Sequence, residues 1–208
     1  MYSSGCSNPS SMKVSERFER EGEAAMIEAE MKARVYDPEA VMHRLEAYAP
    51  GRPEVYQDTY YDQADSLVNS DRELRVRTVH AADDTRSVLT FKGARVDEAT
   101  GSKPEHESRI EDPAAVHAML RGLGYSPSIA FEKRCRNYEF EDGGRRMLAT
   151  LVRVPEIDGT FLELETLVQE ESEVPAALEA VRDVLHRLGI EDDDLTTELY
   201  TEAVAAAR

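Results

Sequence analysis

Residues 26 to 35 read MIEAEMKARV, which puts Glu28, Glu30, Lys32 and Arg34 on one parity of the chain and Ile27, Ala29, Met31, Ala33 and Val35 on the other. A strand gathers such charges on one face, because its side chains alternate with a period of two. The pattern recurs. Arg75 and Arg77 oppose Leu74 and Val76 in ELRVRTVH, and Val88, Thr90 and Lys92 share a face of RSVLTFKG. Glu105, Glu107 and Arg109 align in EHESRIED, and Glu132, Arg134, Arg136 and Tyr138 align in FEKRCRNYEF. In TFLELETLV, Glu163 and Glu165 align with Phe161 against Leu162 and Leu164.

An antiparallel sheet with one wet face is the plain explanation. The signs of the charges argue against it. They come in i, i+2 pairs of one sign, and like charges so close repel on a solvated strand. A closed barrel can use both signs on one interior. Paired carboxylates (Glu28 with Glu30, Glu163 with Glu165) supply hard oxygen ligands for Mg2+ or Mn2+. Arg75, Arg77, Lys92, Arg134 and Arg136 supply cations for phosphate oxygens, the arginines in bidentate geometry. Metal, guanidinium and carboxylate together make the chemistry of a nucleotide or polyphosphate site.

Around these strands the sequence places four helices. Asp37-Pro38 starts one over about 38–49, with Val41, Leu45 and Tyr48 at helical spacing. Asp112-Pro113 starts a second, with Val116, Met119, Leu120 and Leu123 on one face and Gly124 as its stop. Two more are expected near 174–188 and 194–206, the last with Asp194 as its N-cap. Turns fall at Asp142-Gly143-Gly144 and Asp158-Gly159. The expectation is an α+β chain built on an eight-stranded antiparallel β tunnel or barrel with flanking helices, over residues 26–208. Residues 1–25, Ser-rich and then charged, read as a disordered tail dispensable for catalysis.

With 208 residues the chain is long enough to bury a core. It carries no apolar run of membrane-spanning length and no apolar segment of a secretory signal at its start, so the expected location is cytoplasmic, with no membrane partner. A formal charge of −17 argues against nucleic acid as a partner. The charge is unevenly spread. From Pro155 to Arg208 there are 15 acidic and 3 basic residues, whereas from Arg72 to Arg95 there are 6 basic and 3 acidic ones. An acidic shell around a basic interior fits both counts. The cysteines, Cys6 and Cys135, make no disulfide framework or zinc spacing, and Cys135 reads as a small buried strand residue. The five histidines are scattered without metal-ligand spacing.

Glu28-x-Glu30-x-Lys32 matches the ExExK signature of the CYTH superfamily, the triphosphate tunnel metalloenzymes, which includes class IV adenylate cyclases and thiamine triphosphatases. Further segments resemble the family in order: Tyr60-Tyr61-Asp62, Leu74 to Arg77, Thr90-x-Lys92-Gly93, Glu105-x-Glu107, Lys133-Arg134-Cys135-Arg136 with Tyr138, Phe161 to Glu165, and Tyr200-x-Glu202. The resemblance implies that Glu28, Glu30, Glu163 and Glu165 hold one or two divalent ions, with Glu107 a weaker addition. It implies that Lys32, Arg34, Arg75, Arg77, Lys92, Arg134 and Arg136 grip the triphosphate, with Lys32 and Lys92 as the catalytic cations. One departure stands out: many members carry an aspartate in the strand before Phe-x-Glu-x-Glu, where this chain has Val152 or, on a gap-shifted alignment, Arg153.

Three activities are compatible with these residues: an adenylate cyclase, placed first by length and spacing; a triphosphatase acting on inorganic triphosphate, thiamine triphosphate or a nucleoside triphosphate; and a non-catalytic polyphosphate or nucleotide binder, suggested by Val152. All take a small-molecule triphosphate as partner, and the family resemblance adds a homodimer as an expectation.

Overall fold

The computed structural model describes residues 26–97 and 101–208; the expected tail and Cys6 lie outside them. Its frame is eight strands: β1 (Met26–Val35), β2 (Arg52–Asp62), β3 (Glu73–His80), β4 (Thr85–Lys92), β5 (Lys103–Ile110), β6 (Ser126–Asp142), β7 (Arg145–Arg153) and β8 (Thr160–Val168). They close into a barrel in the order β1-β5-β4-β3-β2-β6-β7-β8, every neighbour antiparallel. Closure removes the free edges that a sheet would otherwise expose. The one weak seam is at β1. It pairs with β8 from Ile27↔Val168 to Val35↔Thr160, but with β5 only from Met26↔Glu105 to Glu28↔Lys103. Beyond that point the C-terminal segment takes over: Leu195 bridges Ala33, and the Thr196 N–H donates to the Lys32 carbonyl at 2.8 Å.

Four helices flank the barrel: α1 (Pro38–Leu45), α2 (Pro113–Gly122), α3 (Val174–Arg187) and α4 (Tyr200–Ala207). The two Asp-Pro starts form as the sequence suggests. Asp37 accepts from the Ala40 N–H and Asp112 from the Ala115 N–H, each at 3.0 Å, satisfying an orphan donor of the first turn. Gly143, Gly144 and Gly159 all adopt positive φ, which glycine takes without a steric penalty.

The main core lies outside the barrel. Ile27, Ala29, Met31, Ala33 and Val35 of β1, Met147, Ala149 and Leu151 of β7, and Leu162 and Leu164 of β8 pack against Val41 and Leu45 of α1 and against the apolar stripe of α3. Each large apolar side chain buried there contributes about 1.5–3 kcal/mol. This leaves the opposite parity of β1 and β8, the charged one, no place but the interior. Among the described residues no helix is long and apolar enough to cross a membrane.

Two local expectations are corrected. The last helix starts at Tyr200, not 194, because Leu195 and Thr196 are held against β1 and the chain through Leu199 forms no helix; Asp194 instead closes a short turn by accepting from the Glu191 N–H at 2.8 Å. On α2 the barrel covers Leu120, while Met119 and Leu123 are 63% and 69% exposed, because the helix rests on β3 along a narrow line.

Candidate active site

Inside the barrel, β1 and β8 supply one acidic wall. Carboxylate oxygens of Glu28, Glu30 and Glu165 all lie within 4.8 Å of one another. Such a cluster of like charges is relieved either by protons or by cations. Burial first, and then the neighbouring Glu105, pushes the Glu28 carboxyl well above its ordinary range. Burial and then Glu163 raise Glu30 to about 7. A divalent cation would remove that repulsion, and three hard oxygens fit Mg2+ or Mn2+ without selecting between them. The donor set therefore fits the metal that the sequence implies, with Glu28, Glu30 and Glu165 as the residues to hold it.

The other expected carboxylates stand apart from this cluster. Glu163 lies 3.5 Å from the Lys133 ammonium; against the upward push of burial, Lys133 and then Lys32 keep it ionised. Glu107 accepts from the Thr90 hydroxyl at 2.9 Å and does not join the three clustered carboxylates.

The basic wall is built on β3, β4 and β6. Asp58 of β2, 2% exposed, is the directly opposite partner of Arg77 on β3 and accepts from its Nε and Nη2 at 2.6 and 2.7 Å. It also lies 3.9 Å from Arg75. Burial pushes the Asp58 carboxyl up, but Arg77 and then Arg75 hold it well below the usual carboxylate range. One buried carboxylate thus fixes two guanidiniums, and the Arg75 Nε is left buried without a partner. An unpaired donor of this kind is costly unless an anion satisfies it. Lys92 joins the two walls: its ammonium donates to Glu28 and lies 3.0 Å from Glu105.

Between the walls is a cavity of about 370 Å3, lined by Glu28, Glu30, Glu163 and Glu165 with Lys32 on the β1–β8 side and by Arg75, Arg77, Lys92 and Lys133 on the other. Arg95 and Lys103 stand at the β4–β5 side, Arg95 held by Asp71 at 2.8 Å and Lys103 by Glu73 at 2.9 Å. Thr196, Thr197, Leu199 and Tyr200 of the C-terminal segment complete the wall. Arg34 has the inward parity but sits at the rim, 4.0 Å from Glu198 and over the Phe161 ring.

The parity of β6 is corrected. Arg134 is exposed and pairs with Glu132 at 3.0 Å, while Arg136 bonds Glu46 after α1 at 3.1 Å; both lie outside the barrel. Phe131, Lys133, Cys135 and Asn137 point inward instead. The reason is that this side of the interior is not uniformly charged. Phe131, Cys135, Val152, Val154, Phe161 and Tyr200 form an apolar cluster there, so charge alone selects the wrong face of β6. Lys133, adjacent in sequence to Arg134, is the cavity-facing cation that the reading of β6 missed. Asp58 was missed as well, although its parity with Tyr56 and Tyr60 in EVYQDTYYD carried the signal.

Val152 does face inward and is fully buried, opposite Cys135 and Phe161. Its place on the ladder is removed from the acidic cluster. Leu148 is the β7 residue opposite Glu165, and Thr150 is opposite Glu163. Burial raises the Cys135 thiol to about 12, so it stays protonated and inert in this cluster.

A family model described as the CYTH domain matches residues 26–200. Among curated proteins, "Putative adenylate cyclase MJ0240" of Methanocaldococcus jannaschii is 27% identical over 180 residues, covering 85% of this chain and 98% of its own length. Among solved structures, the PH1819 protein of Pyrococcus horikoshii is 28% identical with a TM-score of 0.77, covering 87% of this chain and 99% of its own. The Hippeastrum protein HpAC1, described as a putative adenylyl cyclase with a dominant triphosphatase activity, shares the fold at 18% identity and a TM-score of 0.58, over 88% of this chain and 96% of its own.

Proposed function

Because the chain belongs to the CYTH domain family, we propose that it is a divalent-metal-dependent enzyme that hydrolyses a compact triphosphate inside the barrel. The observation that carries this reading is the meeting, in one cavity of about 370 Å3, of a three-carboxylate cluster with a wall of Lys and Arg side chains. That volume lies at the low end of the roughly 300–1,000 Å3 typical of small-molecule sites. Charged side chains make up 13 of its 21 lining residues, which suits an oligophosphate better than a nucleoside.

In this reading Arg75 and Arg77, pre-set by Asp58, take phosphate oxygens through their guanidinium forks. Lys32 and Lys133 add ammonium charge at the C-terminal side of the cavity, and Lys92 holds Glu28 in register with the phosphates. Bound at Glu28, Glu30 and Glu165, Mg2+ or Mn2+ would supply Lewis-acid neutralisation of phosphoryl oxygens. Glu163, kept ionised beside Lys133, is an acceptor able to orient an attacking water. Positioning and charge neutralisation provide most of the catalysis in phosphoryl transfer, so no nucleophilic side chain is required.

A second reading is an adenylate cyclase, in which the ribose 3′-hydroxyl attacks the α-phosphorus and pyrophosphate leaves. It is favoured by the name of the M. jannaschii relative. It requires the nucleoside to extend past Leu199 or past Arg95 and Lys103. Assays of purified protein with Mg2+ or Mn2+ against inorganic triphosphate, thiamine triphosphate and ATP separate the two. Orthophosphate without cyclic nucleotide supports hydrolysis, and cyclic AMP with pyrophosphate supports the cyclase. Binding without turnover returns the chain to a polyphosphate binder. Glu30→Ala and Lys32→Ala should each abolish turnover and leave the fold intact; unchanged activity in both would sink the site assignment. A small triphosphate is the only partner proposed besides a second copy of the chain, which light scattering tests directly.

A further inference from the structure

Tyr200 opens α4 at the end of the segment that is held to β1 at Ala33 and at the Lys32 carbonyl. Its ring is 7% exposed and meets Phe161 edge-on, with centroids 5.4 Å apart and planes at 84°. The ring is thereby fixed from behind. Its face is turned to two cations: the Lys133 ammonium is 4.2 Å and the Lys32 ammonium 4.6 Å from the ring centroid. Both fall inside the ~6 Å range of cation–π attraction.

The remaining partners of these lysines are few. Lys32 donates to the Glu198 carbonyl and, among the described residues, makes no ion pair. Lys133 has Glu163 at 3.5 Å, the long end of a hydrogen bond. Lys92 is the contrast, held between the carboxylates of Glu28 and Glu105. A ring face and a carbonyl orient an ammonium without cancelling its charge, whereas a carboxylate cancels it. Two ammoniums on one ring also repel each other, so each needs a fixed seat.

We infer that Tyr200 is a positioning residue of the anion site, its ring seating the Lys32 ammonium, which no carboxylate among the described residues pairs with, and the Lys133 ammonium, which shares its charge with Glu163, toward a bound oligophosphate. The inference rests on the triphosphate reading above. The plain alternative is that Tyr200 merely fills space beside Val204 and Phe161.

Inorganic tripolyphosphate, titrated calorimetrically into the full chain in metal-free buffer, is the probe. The variants are Tyr200→Phe, Tyr200→Leu, and a series with mono-, di- and trifluorinated phenylalanine at position 200, which weakens the negative ring face at nearly constant size. Tyr200→Phe should bind within about threefold of wild type, and affinity should then fall stepwise with fluorination, by about tenfold at the trifluorinated ring. Tyr200→Leu should lose at least as much. Melting temperatures of the free protein should stay level across the fluorinated series. Affinity that ignores fluorination, or rises with it, overturns the inference, as does a fall in melting temperature with affinity unchanged. Wild-type protein that binds no tripolyphosphate overturns the triphosphate reading itself, and this inference with it. Wild-type binding with a flat fluorination series overturns the role of Tyr200 alone.

Discussion

Replacing Glu30 with glutamine should stabilise the metal-free protein above neutral pH and, in the same variant, remove its response to Mn2+. The carboxylate oxygens of Glu28, Glu30 and Glu165 lie within 4.8 Å of one another. Two unit charges that close repel by ~3.5 kcal/mol at an effective dielectric of ~20. Raising the Glu30 carboxyl to about 7, by burial and then Glu163, is worth a similar amount, on the order of 3 kcal/mol. Glu30 lines a cavity and has Lys92 and Lys32 as neighbours, so this is an upper bound. The sign follows from linkage. The folded chain holds the Glu30 proton more tightly than the unfolded chain, so its stabilising contribution is full below the ordinary carboxylate range and is lost as pH rises through about 7. Glutamine has no such proton to lose. For a chain of this length each kcal/mol moves the melting midpoint by about 2–4 °C. The variant should therefore melt several degrees above wild type at about pH 8 in EDTA and level with it at about pH 4. Excess Mn2+ should raise the midpoint of wild type and leave the variant nearly unmoved, because metal binding requires the ionised ligand. A variant that melts at or below wild type in EDTA at the higher pH would refute the repulsion. Full Mn2+ stabilisation of the variant would refute the ligand role.

The face assignment of β6 predicts that Lys133→Ala lowers kcat/KM for the hydrolysed triphosphate by about a hundredfold, the scale of one lost charge-assisted contact in the transition state. Arg134→Ala and Arg136→Ala, altering groups outside the barrel, should stay within about twofold of wild type. Val152→Asp should not build a metal ligand, because Val152 is fully buried between Cys135 and Phe161; urea unfolding should show a loss of about 3 kcal/mol or more at neutral pH, easing as acid protonates the new carboxyl. Asp58→Asn leaves Arg77 without its buried counter-charge, and a loss of about 3–5 kcal/mol in urea unfolding is expected. Tripolyphosphate should stabilise that variant more than wild type, since the anion replaces part of the missing charge.

Much of the site was legible because alternation on a strand leaves two choices, and an apolar partner face settles which one. On β1 and β8 the faces of Ile27 to Val35 and of Leu162 and Leu164 have to meet helices, so Glu28, Glu30, Lys32, Glu163 and Glu165 have to turn inward. On β6 the same logic failed. Both parities of KRCRN carry a cation, and a slip of one residue exchanges every side chain between faces. What decides it is contact with strands distant in sequence: Cys135 opposite Val152, and Phe131 in the cluster with Val154 and Tyr200.

The helix starts at Asp37-Pro38 and Asp112-Pro113 and the glycine turns after β6 and β7 are local chemistry, and the sequence by itself determined them, along with the charged tunnel of β1, β3, β4 and β8. Tertiary structure alone decided how the charges group: Glu28, Glu30 and Glu165 in one cluster, Glu163 with Lys133, Glu107 with Thr90, and both arginines of β3 on Asp58. It also decided that Leu195 and Thr196 lie against β1 rather than in a helix, because the short β1–β5 seam leaves backbone groups of β1 that a distant segment satisfies. Parity is a property of the strand, whereas distance between carboxylates is a property of register and closure, which no single strand encodes.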